Sequence, residues 1–597
     1  MSRVIYHDYS YTTIRSIFFN HFLGCSNRIL EKGEAKLQRD VRTALKSVQE
    51  LKAVGTPGYQ QILRIKKQLT KDPDEKRTAI MDFIANDLMF GAEAVGTGMK
   101  CPELASYYFF SKTDKMLMDL ESVDFQCYVM TRYGVSEREF EIIKGEMMRR
   151  IWERGQKVEP YRFAYFDNKR LILYISNHDN GIYRLDGEKI ELCGNGIDGV
   201  FFEFDVMATP FIYKPDMAVI NYFQGNSDIT ESQRLGFDLE RFNADDCYLN
   251  KYLISLASFA KEEGSIITSE DQKLLLIIYF YSLFFESILY DKPIVCFMGA
   301  QASGKSTIAA CIGKILFGDS FKVSNCPTEA ERLRVMLCSN YYLALDNVDQ
   351  YVPREMANDL CTAATDKGII QKRKLHTTNE IARYTPHIFI LITSREGKFK
   401  HSDLVSRLLL FSTEQIRGAT SKKELFDSVL SHRDGIMTEV LTNLNSLINI
   451  LKHSPSEKSK TISRLADWES FGRRLCCKGL EMHHFISIME NMDKKKDAFA
   501  IEDDYLFQIP YHIIYDEGEP LEQKAATPLY KILLTKAEEM KATRDFTEHY
   551  KNPAAMGRRL VNIKKQLNDK FEFKIEFEKH TKKNLYTFRA KLDVKEV

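Results

Sequence analysis

Cysteine is present but never in a metal-binding or redox spacing. The 12 cysteines include no C-x-x-C pair and no clustered histidine partners, and adjacent Cys476 and Cys477 cannot complete a tetrahedral zinc site alone. That usage fits reduced thiols in a cytosol, and a cytoplasmic protein is expected. Charge of one sign is also lacking: 84 Lys/Arg against 83 Asp/Glu give a net charge of +1, so the average selects no class of partner. The opening residues Met-Ser-Arg-Val-Ile-Tyr-His-Asp lack the charged and apolar regions of a signal peptide. Long apolar runs are nearly absent, as are repeats and low-complexity tracts. The one exception, Leu274 to Tyr290 (LLLIIYFYSLFFESILY), is 17 residues long and carries Glu286. It reads as a helix buried beside a sheet rather than a membrane span.

With 597 residues, 44% hydrophobic and 28% charged, the chain is expected to fold as several globular domains. Residues 1–75 read as a helical segment of mixed charge. Residues 76–228 read as an α+β domain in which Asp167-Asn168, Asp186-Gly187 and Asn195-Gly196 turn successive hairpins. A polar stretch at Gly225–Asp228 marks the passage into residues 229–420, where continuous apolar runs predict parallel strands covered on both faces. These runs are Pro293–Met298, Phe321–Ser324, Tyr341–Leu345, His387–Ile392 and Leu408–Phe411. Residues 421–510 read as a helical lid and 511–597 as a small helix-and-strand unit. Within the amino-terminal half, Ser176-Asn-His178 and Glu203-Phe-Asp205 superficially resemble primase motifs, but they stand in reverse order and the first acid is Glu. A structural or partner-binding role is expected there.

Residues Gly299 to Ser306 read G-A-Q-A-S-G-K-S. This pattern lets consecutive backbone N–H groups curl around a phosphate, with Lys305 reaching β/γ oxygens and the Ser306 hydroxyl ligating Mg²⁺. The expected nucleotide contacts are Gly299, Ala300, Gln301, Ala302, Ser303, Gly304, Lys305, Ser306 and Thr307, with ATP and Mg²⁺ as ligands. The strand YYLAL then ends in Asp346-Asn347-Val348-Asp349, placing an acid at the carboxyl edge of the sheet, where Mg²⁺ needs one. Asp346 is the expected second metal ligand. Asn347 occupies the place where many such hydrolases carry a water-polarising Glu, so Asp349 or Asp346 itself is left for that task. HIFILI gives way abruptly to Thr393-Ser394-Arg395, whose hydroxyls suit a γ-phosphate sensor. Arg407, in Asp403-Leu-Val-Ser-Arg407, precedes the fifth strand at the sheet edge.

GAQASGKS, LALDNVD, LITSRE, DLVSRLLLF and Arg464-Leu-Ala-Asp-Trp468 together resemble the AAA+ ATPases. Within them the chain is similar to the MCM-like self-loading replication helicases of mobile genetic elements, such as staphylococcal cassette chromosomes and pathogenicity islands. The resemblance covers roughly residues 245–500. It implies an α/β fold: an AAA+ phosphate-loop core with a five-stranded parallel sheet and helical lid, an α+β domain before it and a winged helix after it. It also implies Thr393 or Ser394 as first sensor, Arg407 as an arginine finger serving a neighbouring subunit, Arg464 as second sensor, and a pre-sensor hairpin in ATDKGIIQKRKLHTTNEI. His376 departs from the aromatic expected in that hairpin.

Lys372, Arg373 and Lys374 concentrate charge on that hairpin, a composition suited to gripping phosphodiesters. From Lys541 onward there are 15 Lys/Arg against 8 Asp/Glu, and helix, helix, hairpin in order reads as a winged helix. There Arg558, Arg559, Lys564 and Lys565 would face a DNA groove, with Lys582 and Lys583 at the wing tip. The expectation is an ATP-driven, ring-forming DNA helicase, hexameric, acting on single- and double-stranded DNA, with replication proteins docking on its amino-terminal domain and no membrane partner. An ATP-switched initiator or defence regulator that does not unwind DNA is the alternative; a protein-remodelling ATPase is a further one, which the basic carboxyl terminus disfavours.

Overall fold

Apolar runs that are buried on both faces become five parallel strands. Across the sheet they stand in the order Ser324–Asn325, Tyr342–Asp346, Phe389–Ser394, Ile294–Gly299, Leu408–Thr413. The computed structural model describes residues 60–62 and 73–591, apart from short stretches of which 224–235, 261–266, 374–380 and 454–460 are the longest. The expected amino-terminal helical segment thus falls mostly outside the described residues, as does the polar stretch at 225–228. The strand expected at Phe321–Ser324 differs from its expectation, since only Ser324 and Asn325 pair with a neighbour. Phe321 instead packs its ring on Tyr342, 5.4 Å between centroids, and fills the space over Gly313, where a Cβ would come within 2.1 Å of that ring.

The apolar run from Leu274 does not form one long helix. A capping box at Thr268 and Asp271 starts the helix Ser269–Ser282, and a tight turn at Glu286–Ile288 follows. Lys292 donates to Glu286 at 2.7 Å, and His387 lies 3.1 Å from its other oxygen. Burial alone would push the Glu286 carboxyl up, but Lys292 and His387 hold it at about 2. Among the described residues no helix is long and apolar enough to cross a membrane.

Two layers precede this core, a mixed sheet, in which Gly96–Cys101 runs parallel to Gln156–Lys157, and an antiparallel one. The first is a sheet ordered Met116–Asp119, Ser106–Ser111, Gly96–Cys101, Gln156–Lys157, covered by helices Val123–Tyr133 and Glu137–Arg154 around its own apolar cluster. The second is a meander, Ala164–Asp167, Ile172–Ser176, Gly181–Leu185 and Ile190–Gly194. The turns expected at Asp167-Asn168 and Asp186-Gly187 join strands of the meander, the turn at 177–180 was not expected, and the chain after Asn195-Gly196 runs instead to Phe201–Phe202, paired with Pro160–Tyr161. The meander's inner residues Phe166, Leu173, Ile175 and Leu185 enter the same hydrophobic core as the helix Ser269–Ser282. The core therefore runs across the boundary expected near residue 228.

Four helices, Lys422–Ser431, Arg433–His453, Ala466–Leu475 and Gly479–Glu502, follow the sheet. The carboxyl-terminal unit adds helices Ala526–Glu539, Thr543–His549, Pro553–Asn562 and Lys564–Lys570, and an antiparallel sheet ordered Leu521–Ala525, Lys583–Ala590, Phe571–Glu578. The hairpin is where the alternation placed it. The expected order of helix, helix, hairpin is elaborated: the helix from Pro553 ends at Asn562, a separate helix Lys564–Lys570 follows it, and the strand Leu521–Ala525 and helix Thr543–His549 are additions.

One buried side chain clamps these parts to the helix that follows the phosphate loop, Lys305–Phe317. Arg433 donates from Nε to the Ile315 carbonyl (2.8 Å), from Nη2 to Leu316 (2.9 Å), and from Nη1 to Thr209 (2.7 Å) and Pro210 (2.9 Å). His178 adds its Nε2, 3.0 Å from the Leu316 carbonyl. The Ile315 and Leu316 carbonyls are among the last of that helix and carry the negative end of its dipole, so a cation there is favourable. Desolvation lowers the pKa of Arg433 to about 10, which leaves it charged at neutral pH. Arg433→Ala would strip donors from buried acceptors, so it is expected to cost about 2–4 kcal/mol. Arg433→Lys should recover only part. Calorimetric unfolding of the two variants checks this; an Arg433→Ala midpoint equal to wild type would contradict it.

Candidate functional site

The strand Ile294–Gly299 delivers the chain to a turn whose backbone an ordinary residue resists. Gly299 has φ +152°, and a Cβ there would lie 2.2 Å from the Thr413 carbonyl; Ala302 (φ 65°) and Gly304 (φ 78°) occupy the left-handed region. Gly304 caps the helix Lys305–Phe317, so the loop's N–H groups and the helix amino terminus face the same cavity. Lys305 donates from Nζ to the carbonyls of Gly299 (2.7 Å) and Ala300 (2.8 Å) and to Ser303 Oγ (3.1 Å). Burial pulls its pKa below the usual lysine value and nearby Arg395 adds to that, while Asp349 and Asp346 oppose it.

The parallel register brings the other motifs to the same edge. Met298 stands opposite Ser394, and Leu345 opposite Ile392. Asp346 accepts a hydrogen bond from Ser306 Oγ at 2.5 Å and another from the Thr393 hydroxyl. The Asn347 N–H donates to Thr393 Oγ1 at 3.2 Å, and Asn347 itself is left-handed (φ 56°). Two oxygens, from Ser306 and Asp346, converge beside the loop; this is the sparse donor set that suits Mg²⁺, which retains several waters.

The cavity, about 1130 Å³, is lined by the loop from Gln301 to Thr307, by Asp346, Asn347, Thr393, Ser394 and Arg395, and by residues no motif announced. Leu256 to Phe259 form one wall because that segment pairs onto the sheet edge: Phe259 bridges to Thr413, Ala260 N–H donates to Ser412, and Glu414 N–H to Ser258. Ile416, Lys422 and Lys273 complete it. The only sequence signal was polar Thr-Ser-Arg after an apolar strand, which points to Arg395.

Asp349 sits elsewhere in the arrangement. It accepts from the Arg395 N–H (2.6 Å) and Arg395 Nε (2.7 Å), with Ser394 Oγ 3.2 Å away. Burial alone would raise this carboxyl, but those donors hold it below the usual value. Arg407 and Arg464 are not at the loop. Arg407 lies at the start of its strand, on the edge opposite the phosphate loop, 8% exposed and paired with Asp291 at 2.7 Å. Arg464 pairs with Asp403 and reaches Ser406 Oγ at 3.3 Å. The two arginines are thus near neighbours on that far edge.

The basic candidates are dispersed. Lys372 and Arg373 lie on the strand Ile370–Arg373, paired antiparallel with Ile381–Tyr384; Lys374 and the turn lie outside the described residues. Arg558, Lys564, Lys582 and Lys583 are exposed. The Lys565 side chain lies outside the described residues. Arg559 does not face outward: its Nε donates to Asp504 at 2.9 Å, and that carboxylate is buried.

The five-stranded parallel sheet and the helices around it define a mixed α/β protein. More particularly, residues 271–480 match the family described as actinomycete integrative conjugative element replication protein. No curated protein matches the chain. Among solved structures it is similar to the apo C-terminal region of NrS-1, with 10% identity and a TM-score of 0.35 over 83% of this chain and 96% of that one. It is also similar to an inhibitor-bound JCV helicase, with 16% identity and a TM-score of 0.19 over 46% of this chain and 68% of that one.

The left-handed turn after Asp346 makes a local prediction. Asn347→Gly should leave stability within about 0.5 kcal/mol of wild type, whereas Asn347→Val, with a branched Cβ at positive φ, should cost about 1–2 kcal/mol. Thermal unfolding of both proteins checks the sign; equal midpoints would show that the turn is not left-handed in solution.

Proposed function

We propose that this chain is a cytoplasmic ATP-driven DNA translocase of the AAA+ class, MCM-like, assembling as a hexameric ring that unwinds duplex DNA for the replication of a mobile element. The observation that carries the reading is the Ser306–Asp346 hydrogen bond at the mouth of the loop-lined cavity. It brings together two motifs that lie 40 residues apart, which supports reading the cavity as a polyphosphate and cation site. The match of residues 271–480 to a family of replication proteins supports the DNA-replication part.

In this reading Mg²⁺, when bound, neutralises charge on the β- and γ-phosphoryl oxygens. The loop N–H groups and Lys305 hold the phosphates, Ser306 and Asp346 hold the cation, and Thr393 fixes the Asp346 carboxylate. Arg407 and Arg464, on the opposite edge, serve the cavity of the next subunit, which requires Arg407 to leave Asp291 on assembly. The hairpin bearing Lys372, Arg373 and Lys374 grips DNA in the ring. The terminal unit acts as a winged helix that captures duplex through Arg558, Lys564, Lys582 and Lys583, while the amino-terminal layer receives replication partners. The alternative, an ATP-switched initiator that does not unwind, is favoured by one observation: Asn347 stands where an acid would polarise water, and Asn cannot accept a proton.

Lys305→Ala should reduce ATP turnover by about 10²-fold or more, since it removes the mobile cation from the phosphates. Forked DNA should be unwound by wild type with ATP and not by the variant. Wild-type turnover by Lys305→Ala ends the nucleotide reading; turnover without unwinding selects the switch. A second prediction concerns capture. Replacing Arg558 and Lys564 together by Ala should lower the slope of log K against log salt by about two, roughly one for each phosphate that is no longer neutralised. Adding Arg559→Ala should change that slope little, because its partner is Asp504. A slope unchanged by the double replacement would remove the terminal unit from the DNA interface.

A further inference from the structure

Arg395 carries no role in the reading above, yet it is the one arginine among the described residues lining the cavity. Its position is fixed from behind. Asp349 receives its backbone N–H at 2.6 Å and its Nε at 2.7 Å, and Ser394 Oγ stands 2.9 Å from the Val348 carbonyl and 3.2 Å from the same carboxylate. The two partners differ sharply in exposure: the Asp349 side chain is 16% exposed and Arg395 61%. Arg395 lines the cavity, and the fork geometry of a guanidinium matches that of phosphoryl oxygens.

The charge arrangement points the same way. Arg395 and Lys305 line the same cavity, and although Asp349 and Asp346 offset the effect of Arg395 on Lys305, a polyanion entering that cavity would meet both cations. Asp349 meanwhile is a poor candidate for activating water. Its oxygens already accept from Arg395, its carboxyl is held below the usual range, and it is not among the described residues that line the cavity.

We propose that Arg395 is a catalytic residue that contacts the γ-phosphoryl group of ATP bound in its own subunit, with Asp349 as the positioning residue that aims it. This rests on the nucleotide reading of the same cavity. The guanidinium donates N–H hydrogen bonds to nonbridging oxygens and stays protonated, so it adds no covalent step. Because the contact exists only with the terminal phosphoryl group, Arg395 separates ATP from ADP, and its donors strengthen as charge shifts in the transition state.

The test compares Arg395→Ala, Arg395→Lys, Asp349→Asn and the Arg395→Ala/Asp349→Asn double variant, with Lys305→Ala as control. Turnover and the affinities for ADP and a non-hydrolysable ATP analogue are measured on the full chain. Arg395→Ala should lower kcat by about 10²-fold and weaken the ATP analogue about tenfold or more while ADP binding and the melting midpoint stay at wild type, since an exposed ion pair contributes little stability. Arg395→Lys should recover only part, lacking the fork. Asp349→Asn should slow turnover by about tenfold, and the double variant should be no slower than Arg395→Ala, because both changes remove one device. If Lys305→Ala is inactive while Arg395→Ala turns over like wild type, or if Arg395→Ala loses ADP and analogue equally, the arginine assignment is overturned and the nucleotide reading stands. If Lys305→Ala itself binds and hydrolyses like wild type, both fall.

Discussion

Asp346 is the carboxylate on which the rest of the site depends. It accepts from Ser306, on the helix after the phosphate loop, and from Thr393, on a neighbouring strand. Three segments far apart in sequence are thereby held at one carboxyl edge. Hydrogen bonds to a charged group are worth about 1.5–3 kcal/mol each, enough for one side chain to set the relative position of the loop and the strand Phe389–Ser394. The parallel register makes the meeting possible: with Leu345 opposite Ile392 and Met298 opposite Ser394, each strand releases its polar residues at the same height. A one-residue slip would turn Asp346 toward the opposite face of the sheet.

The other end of the same helix is fixed as firmly. Arg433 and His178 cover its last carbonyls, and both come from outside the strand-and-loop unit. The loop at 299–304 therefore leads into a helix whose amino end faces the cavity and whose carboxyl end is tied to the helix Arg433–His453 and to the meander. A displacement at the loop has a rigid path to those layers, because close-packed cores transmit strain rather than absorb it. In the proposed ring this is how occupancy of one cavity would be felt at surfaces that hold partners. The pairing of Arg407 with Asp291, and of Arg464 with Asp403, gives the far edge a store of paired charge that assembly would have to rearrange.

Where the sequence was legible, a single local rule was sufficient. Continuous apolar runs gave four of the five strands, GAQASGKS gave the turn and helix start, and alternation gave the meander and the terminal hairpin. What stayed hidden depended on partners far along the chain. Arg559 looked outward-facing on its helix until Asp504, 55 residues earlier, captured it. The cavity wall at 256–259 has no motif because main-chain pairing to the edge strand placed it. Leu274–Tyr290 read as one helix, whereas the chain turns at Glu286, buried against Lys292 and His387. Asp349 and Asp346 were equal candidates for acid chemistry; only the geometry tied Asp349 to Arg395.

Hydrogen exchange of the full chain, with and without Mg²⁺ and ATP, tests the central claim most directly, because it locates the ligand without presupposing turnover. The account predicts slowed exchange of backbone amides at 301–307, at 346–347 and at 393–395, segments that line one cavity and lie far apart in sequence. Protection confined to the amino-terminal layer or the terminal unit, with these three segments unchanged, would contradict it.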